Sequence, residues 1–408
     1  MSSGVNGASR ALRCHDYRIK VLVLVEAISI NGVAKTVLNL CDSMAELAPL
    51  SGYDAFEITV ALFQRRNATS PKALIEALRT RRIGVRLISE RYRFDHRVFA
   101  ELRRIANEIE PDIIQTNSIK SHFLVKAAGL HRQFHWIALH HGYTAQDLKM
   151  RVYNQLDYWS LRSAECVVVP CSAFQNHVLE RGVESSRVRV IPNAMCEMPA
   201  STARDLALLR QRLRCNEHTK VILSVGRLSR EKGYMDLVRA MRALIDADRQ
   251  LSCKLIIVGQ GPEEDALRAA IRDLQLDHAV RLLCSEGDVV PFYRLADVFV
   301  LPSLTEGMPN VVFEAIAAEV PIVATAVGGI PEMLRDVQTA VLVQPGRPDA
   351  LRSAILDLLN SSTERRRMAG NARALARHRF SIENYGRTIC KMYFEVLRES
   401  EWLNLPLS

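Results

Sequence analysis

The apolar residues of this chain fall in short runs, and amphipathic stretches with helical spacing separate them. That alternation predicts strands and helices in turn, the pattern of a parallel α/β sheet. Ile19–Glu26 reads as a strand buried on both faces. A loop over Ala27–Gly32 leads into a helix over Val33–Leu47. Further strands are expected at Phe56–Phe63, Val85–Ile88, Asp112–Gln115, Trp136–His140, Cys166–Pro170 and Val188–Ile191. Helices are expected at Asp95–Ile109, Ser121–Leu130, Leu148–Ser163 and Ser172–Arg181, the last with Ser172 as its N-cap. Residues 192–219 interrupt the rhythm, and Pro192-Asn193-Ala194 with the polar Pro199–Asp205 reads as a linker. A second alternation follows, with strands at Val221–Val225, Lys254–Val258, Val280–Leu283, Val298–Leu301, Pro321–Thr325 and Ala340–Val343. From Asp349 onward the pattern is helical, and that stretch is long enough to return to the first half.

The 408 residues exceed one ordinary core, so two domains follow. We place a flexible N-terminus at 1–18, an N-terminal Rossmann-like domain at 19–200, a C-terminal one at 201–380 and a helical tail at 381–408. Such domains face each other across a cleft, where ligand sites concentrate. Composition is that of a soluble globular protein, 48% hydrophobic and 24% charged. No stretch reads as a secretion signal or a membrane span. The nine cysteines form no Cys-x-x-Cys pair, which fits reduced thiols in a cytoplasmic protein.

Charge is uneven. Residues 1–200 carry 26 basic and 19 acidic residues (+7), and 201–408 carry 28 and 26 (+2). Twelve basic residues lie between Arg65 and Arg104 alone. A basic face points to an acidic surface or substrate, or is simply solvated. No nucleic-acid-binding module accompanies it.

The densest chemistry lies in Thr305-Glu306-Gly307-Met308-Pro309-Asn310-Val311-Val312-Phe313-Glu314. The strand before it ends at Pro302-Ser303, and Pro309 suits a first helical turn. Glu306 therefore sits on a loop leaving a strand, and Glu314 one to two turns into the next helix. Two carboxylates so placed can hold two parts of one polar ligand; a bare pair can equally serve the helix dipole. Upstream, Gly226-Arg227-Leu228-Ser229-Arg230-Glu231-Lys232-Gly233 leaves the first strand of the second half. A guanidinium fork and a mobile ammonium beside a glycine suit a diphosphate. Gly259-Gln260-Gly261 and Gly328-Gly329 also follow strand ends, the edge where this architecture binds ligands.

The series Gly226-Arg227-Leu228…Lys232-Gly233, Val258-Gly259-Gln260-Gly261-Pro262, Glu306-Gly307-Met308-Pro309…Glu314-Ala315 and Pro321…Gly328-Gly329-Ile330-Pro331-Glu332 resembles retaining glycosyltransferases of family 4, with the GT-B fold. The match is close over about residues 220–345 and looser over 19–200. The resemblance implies that Arg227 and Lys232 hold a donor diphosphate and that Glu306 meets the donor sugar. It implies that backbone N–H groups of Gly307, Met308 and Asn310, around Pro309, add contacts, and that Glu314 binds ribose. Ala138-Leu139-His140-His141-Gly142 resembles the family's His-Gly, and strand alternation favours His141 over His140 at the reaction centre. Asn117, Ser118 and Lys120 resemble residues near the acceptor. Departures occur where the family has a glycine pair, here Asn31-Gly32, and where glycine is usual at Glu319, Ala340 and Ala194.

The expected donor is a nucleoside-diphosphate sugar, with no cofactor and no metal. The expected acceptor is a saccharide or lipid-linked saccharide, at an anionic membrane surface on the cytoplasmic side. Rival readings are a sugar-nucleotide epimerase, a catalytically silent GT-B partner protein and a dinucleotide oxidoreductase. The last would need a Gly-x-Gly-x-x-Gly after the first strand, which Ser29–Val33 lacks.

Overall fold

The computed structural model describes residues 18–27, 30–47, 56–65, 71–92, 95–142, 148–248, 250–284 and 288–397, with the side chains of 148–152 outside the description. The expected flexible N-terminus through residue 17, part of the first loop including Ser29, and the last residues of the tail lie outside it.

Among the described residues, thirteen strands form two parallel sheets. The first contains β1 (Ile19–Val25), β2 (Phe56–Arg65), β3 (Gly84–Glu90), β4 (Ile113–Thr116), β5 (His135–Leu139), β6 (Cys166–Val169) and β7 (Val188–Val190). Its order is β3-β2-β1-β4-β5-β6-β7. The second contains β8 (Lys220–Val225), β9 (Cys253–Val258), β10 (Val280–Leu283), β11 (Val298–Leu301), β12 (Ile322–Thr325) and β13 (Val341–Val343), in the order β10-β9-β8-β11-β12-β13. Both sheets reverse direction of winding beside their first strand, at β1/β4 and β8/β11. Loops leaving those strand ends diverge and open a crevice. Each strand is a near-continuous apolar run because helices cover both faces. Along β1, Val21, Val23 and Val25 enter one core layer and Leu22 and Leu24 the other.

The tail returns as expected. Helix Ile382–Leu397 packs on helix Gly32–Leu47 in the first domain's core. Its Tyr393 hydroxyl donates to Gln115 Oε1 at 2.5 Å, and Phe56 packs against Tyr393 and Phe394. The two chain crossings between domains lie side by side, with Met195 N donating to Phe380 O at 2.7 Å.

The linker reading needs correction. Residues Ala203–Arg212 form a helix whose start is fixed by a Thr202/Asp205 capping box, a polar signal that resembles a linker by composition. Helix Lys72–Thr80 has no counterpart among the expected elements, and Cys171 rather than Ser172 occupies the cap position of helix Ser172–Glu180. Glu319 has a left-handed backbone (φ 58°), the conformation that favours glycine, and its side chain reaches Arg373 at 2.5 Å.

Candidate active site in the interdomain cleft

Three loops at the C-terminal edge of the second sheet build one wall. The loop after β8 carries Arg227 and Lys232, the loop after β11 carries Glu306, and the turn after β12 carries Gly328. Thr325 Oγ1 donates to Ser303 O at 2.5 Å and Leu304 N to Glu231 O at 2.7 Å, tying the three together. Gly328 has φ 55°, and a Cβ there would fall 1.7 Å from Glu306 O. Only a glycine lets that turn lie against the Glu306 backbone.

Glu306 is buried (9% exposed) and its charge is compensated locally. Lys232 Nζ and Ser303 Oγ both donate to its Oε1, each at 2.6 Å. Arg227 is exposed, and its side chain makes no hydrogen bond or ion pair among the described residues.

Helix Asn310–Ala317 starts after Pro309, which takes the cap position rather than the first turn. Its first N–H groups have no intrahelical acceptor, the arrangement that favours an anion at a helix start. Glu314 lies on its second turn. Tyr293, fully buried beneath, has its ionisation pushed well above the ordinary phenol range by burial and then by the Glu314 charge.

The opposite wall comes from the first domain. Asn310 Nδ2 donates to Gly32 O at 3.0 Å, so Gly32 does reach the donor-side helix. Asn193 Nδ2 donates to Met308 O at 3.0 Å, and Asn193 N to Met308 Sδ at 3.2 Å. Phe174, on helix Ser172–Glu180, fills the space beside Gly142 and Gly307. A Cβ would meet its ring at 2.3 Å from Gly142 and at 2.7 Å from Gly307. The Gly307 Cβ position is also 3.6 Å from His141 O, which sets His141 against the donor-side loop.

The two histidines separate as strand alternation predicts. His140 is buried, with Nδ1 3.3 Å from Asp157 Oδ2, while His122 Nδ1 lies 2.6 Å from Asp157 Oδ1. Burial opposes the Asp157 charge, but His122 and His140 hold its carboxyl well below the usual range. His141 is half-buried, and its Nε2 is enclosed without a hydrogen-bond partner among the described residues. Burial, then the neighbouring His140 and His122, lowers its pKa to about 3. It is a neutral imidazole at physiological pH.

The three acceptor-side candidates have other employment. Asn117 is buried and donates to Leu24 O at 3.3 Å; Ser118 caps helix Ile119–Ala127 through Ser121. Lys120 is ion-paired with the buried Glu90, and lies 3.6 Å from Glu26 Oε1 and 4.6 Å from the Phe63 ring centroid. All three are used inside the first domain. Residues not singled out by sequence reasoning are Lys35, which pairs with Glu314, and Ser303, Phe174, Asp157 and Tyr293. Lys35 carried one signal: a cation in a first helical turn opposes the helix dipole and needs an external partner.

Comparison with known proteins decides the family. The pattern of the glycosyl transferases group 1 family matches residues 207–375, and that of the glycosyl transferase 4-like domain matches 31–194. The chain belongs to this glycosyltransferase family. Among curated relatives, N-acetyl-alpha-D-glucosaminyl L-malate synthase of Bacillus anthracis is 26% identical over 248 residues, 61% of this chain and 64% of that protein. The putative teichuronic acid biosynthesis glycosyltransferase TuaC of Bacillus subtilis is 34% identical over 184 residues, 45% of this chain and 41% of TuaC. The chain thus spans less than two thirds of the length of these curated relatives. Anabaena HepE, solved with UDP and glucose, superposes with a TM-score of 0.77 at 22% identity, covering 93% of this chain and all of that one. The likeness shows the GT-B fold: two Rossmann-like domains about a central cleft.

Proposed function

We propose that this family member is a retaining glycosyltransferase. It would move a hexose-type sugar from a nucleoside diphosphate to a saccharide or lipid-linked saccharide, in the assembly of cell-surface polysaccharide or glycolipid. The observation that carries the reading is the convergence, on one wall, of Arg227, the Lys232–Glu306 pair and Glu314 around an open helix N-terminus, facing His141. The names of TuaC, which speaks of teichuronic acid, and of HepE bound to UDP and glucose, support the polymer and the donor.

In this reading the leaving diphosphate gains negative charge in an oxocarbenium-like transition state. Arg227, Lys232 and the N–H groups at Asn310 stabilise it, and the charge falls to these groups rather than to a divalent metal. Glu306 has Oε1 occupied by Lys232 and Ser303, which leaves Oε2 for donor-sugar hydroxyls. Glu314 receives the ribose. His141, neutral at working pH, acts as a hydrogen-bond partner near the sugar and not as a cation. Closure of the cleft would exclude water.

Among the described residues no helix is long and apolar enough to cross a membrane. We propose a cytoplasmic protein that meets the inner face of a membrane through its first domain. Arg79, Arg82 and Arg86 are exposed around the edge strand β3, and Leu87 and Tyr92 are 42% and 53% exposed beside them. Arg81 is already chelated by Asp42, with Nε–Oδ1 2.5 Å and Nη2–Oδ2 2.9 Å, so it contributes less charge. Each free basic residue near anionic lipid is worth about 1 kcal/mol.

A thermal-shift screen of nucleotide sugars tests the donor assignment. The matching donor at 100 times its dissociation constant adds about 2.7 kcal/mol. Stabilisation by no nucleoside diphosphate or nucleotide sugar would refute it.

A further inference from the structure

Helix Gly32–Leu47 carries Lys35 in its first turn, where a cation is disfavoured by the dipole. The lysine points across the cleft and forms an ion pair with Glu314 Oε1. Its side chain is 35% exposed and that of Glu314 17%. The pair joins positions 279 residues apart and is flanked by the Asn310–Gly32 hydrogen bond at 3.0 Å. The starts of two helices, one from each domain, are thereby fastened together.

The second Glu314 oxygen is the telling feature. Oε2 is buried and has no hydrogen-bond partner among the described residues. A buried carboxylate oxygen without a donor is costly, and native structures rarely keep one unless an ordered water, an ion or a ligand supplies the partner. The neighbouring Tyr293 hydroxyl donates to Val311 O at 3.4 Å; it lies close enough to the Glu314 carboxylate to have its own ionisation raised by it, yet it does not meet Oε2 in hydrogen-bond geometry. With Oε1 fixed by Lys35, rotation of the carboxylate is restricted and Oε2 keeps one direction.

We propose that Lys35 is a positioning residue, contributed by the first domain, that clamps Glu314 through Oε1 so that Oε2 receives a ribose hydroxyl. This rests on the reading that Glu314 is the ribose carboxylate. Its consequence is that recognition of the ribose needs both domains: the second supplies the acceptor oxygen and the first fixes its orientation. Loss of Lys35 frees Glu314 to rotate and spends ligand affinity on ordering it.

The test compares ribose with its deoxygenated form. UDP, GDP and ADP are titrated calorimetrically against the full chain, and the tightest is paired with its 2′,3′-dideoxy analogue. Wild type should favour the ribose form by roughly tenfold, the value of one hydrogen bond to a charged group. Glu314→Ala should erase that preference. Lys35→Met should also erase most of it, with affinity for the dideoxy ligand changed by no more than about twofold, and Lys35→Arg should restore it. Lys35→Gln replaces the methionine variant if that one folds poorly. A preference retained in Lys35→Met, or tighter ribose binding there, overturns the inference for Lys35 alone. A preference retained in Glu314→Ala, absent in wild type, or no binding of any of the three nucleotides overturns the underlying reading of Glu314.

Discussion

Arg227 and Lys232 share one proposed role but differ in their setting, and truncating each should separate binding from stability. Lys232 is 20% exposed and pairs with Glu306, whose side chain is 7% exposed. Removing one partner of a fully buried pair costs about 3–5 kcal/mol, because a buried charge is left without its counter-ion. Here Ser303 still donates to Oε1 and the ammonium is partly solvated, so Lys232→Ala should cost about 2–3 kcal/mol. For a domain this large, that is a fall of roughly 4–12 °C in melting temperature. Arg227 is exposed and has no partner to abandon, so Arg227→Ala should stay within about 0.5 kcal/mol of wild type. Both variants should weaken donor binding by about 1.5–3 kcal/mol, a charged hydrogen bond to phosphate. Differential scanning fluorimetry without ligand and calorimetric titration with the donor give the two readings. Wild-type affinity in both variants, or a larger loss of stability in Arg227→Ala than in Lys232→Ala, would refute the reasoning.

Other consequences are equally specific. Glu306→Ala should lower turnover while free nucleoside diphosphate still binds, whereas Glu314→Ala should weaken that ligand too; equal losses of nucleotide affinity in both would reverse the roles. Gly328→Ala should cost more than about 2 kcal/mol and disable the donor loop, while Gly346→Ala, at φ 70° in open space, should cost about 1 kcal/mol; urea unfolding measures both. His141 is held near 3 in the native protein against about 6.5 unfolded, so its contribution to stability is complete above pH 6.5 and is lost as pH falls toward 3. Denaturation followed from pH 7 to 4 should therefore fall less steeply in His141→Phe than in wild type, and identical slopes would contradict the burial argument. Vesicle co-sedimentation should require anionic lipid, weaken with salt and weaken further in Arg79→Gln/Arg82→Gln; neutral and anionic vesicles binding alike would remove the membrane proposal.

The sheets were legible because parallel strands covered on both faces must be apolar throughout. Runs such as 19–25, 221–225 and 298–301 leave little choice of conformation. Two helices escaped. Lys72–Thr80 carries an apolar stripe of only two turns, Leu74, Ile75 and Leu78, and Ala203–Arg212 buries only Leu209, so neither presents the long stripe that marks a core helix. The donor-side wall was legible because Glu306, Pro309 and Glu314 lie on one continuous loop and helix, where spacing fixes geometry. The other wall was not. Lys35 meets Glu314, and His122 and His140 meet Asp157, only after the chain has folded back, and no local period encodes those meetings. The Lys120 ion pair is of the same kind: Lys120 follows β4, and its partner Glu90 ends the edge strand β3, with β2 and β1 between them in the sheet.

The central claim is transfer with retention from a nucleoside-diphosphate sugar, and the anomer released tests it most directly. Wild-type protein is incubated without acceptor with α-linked UDP-, GDP- and ADP-sugars, and the first sugar freed is followed by proton NMR before mutarotation. The account predicts slow release of nucleoside diphosphate from one donor, with the α anomer appearing first, and loss of that signal in Arg227→Ala and Glu306→Ala. The β anomer appearing first would contradict retention, and undiminished release in both variants would contradict the site.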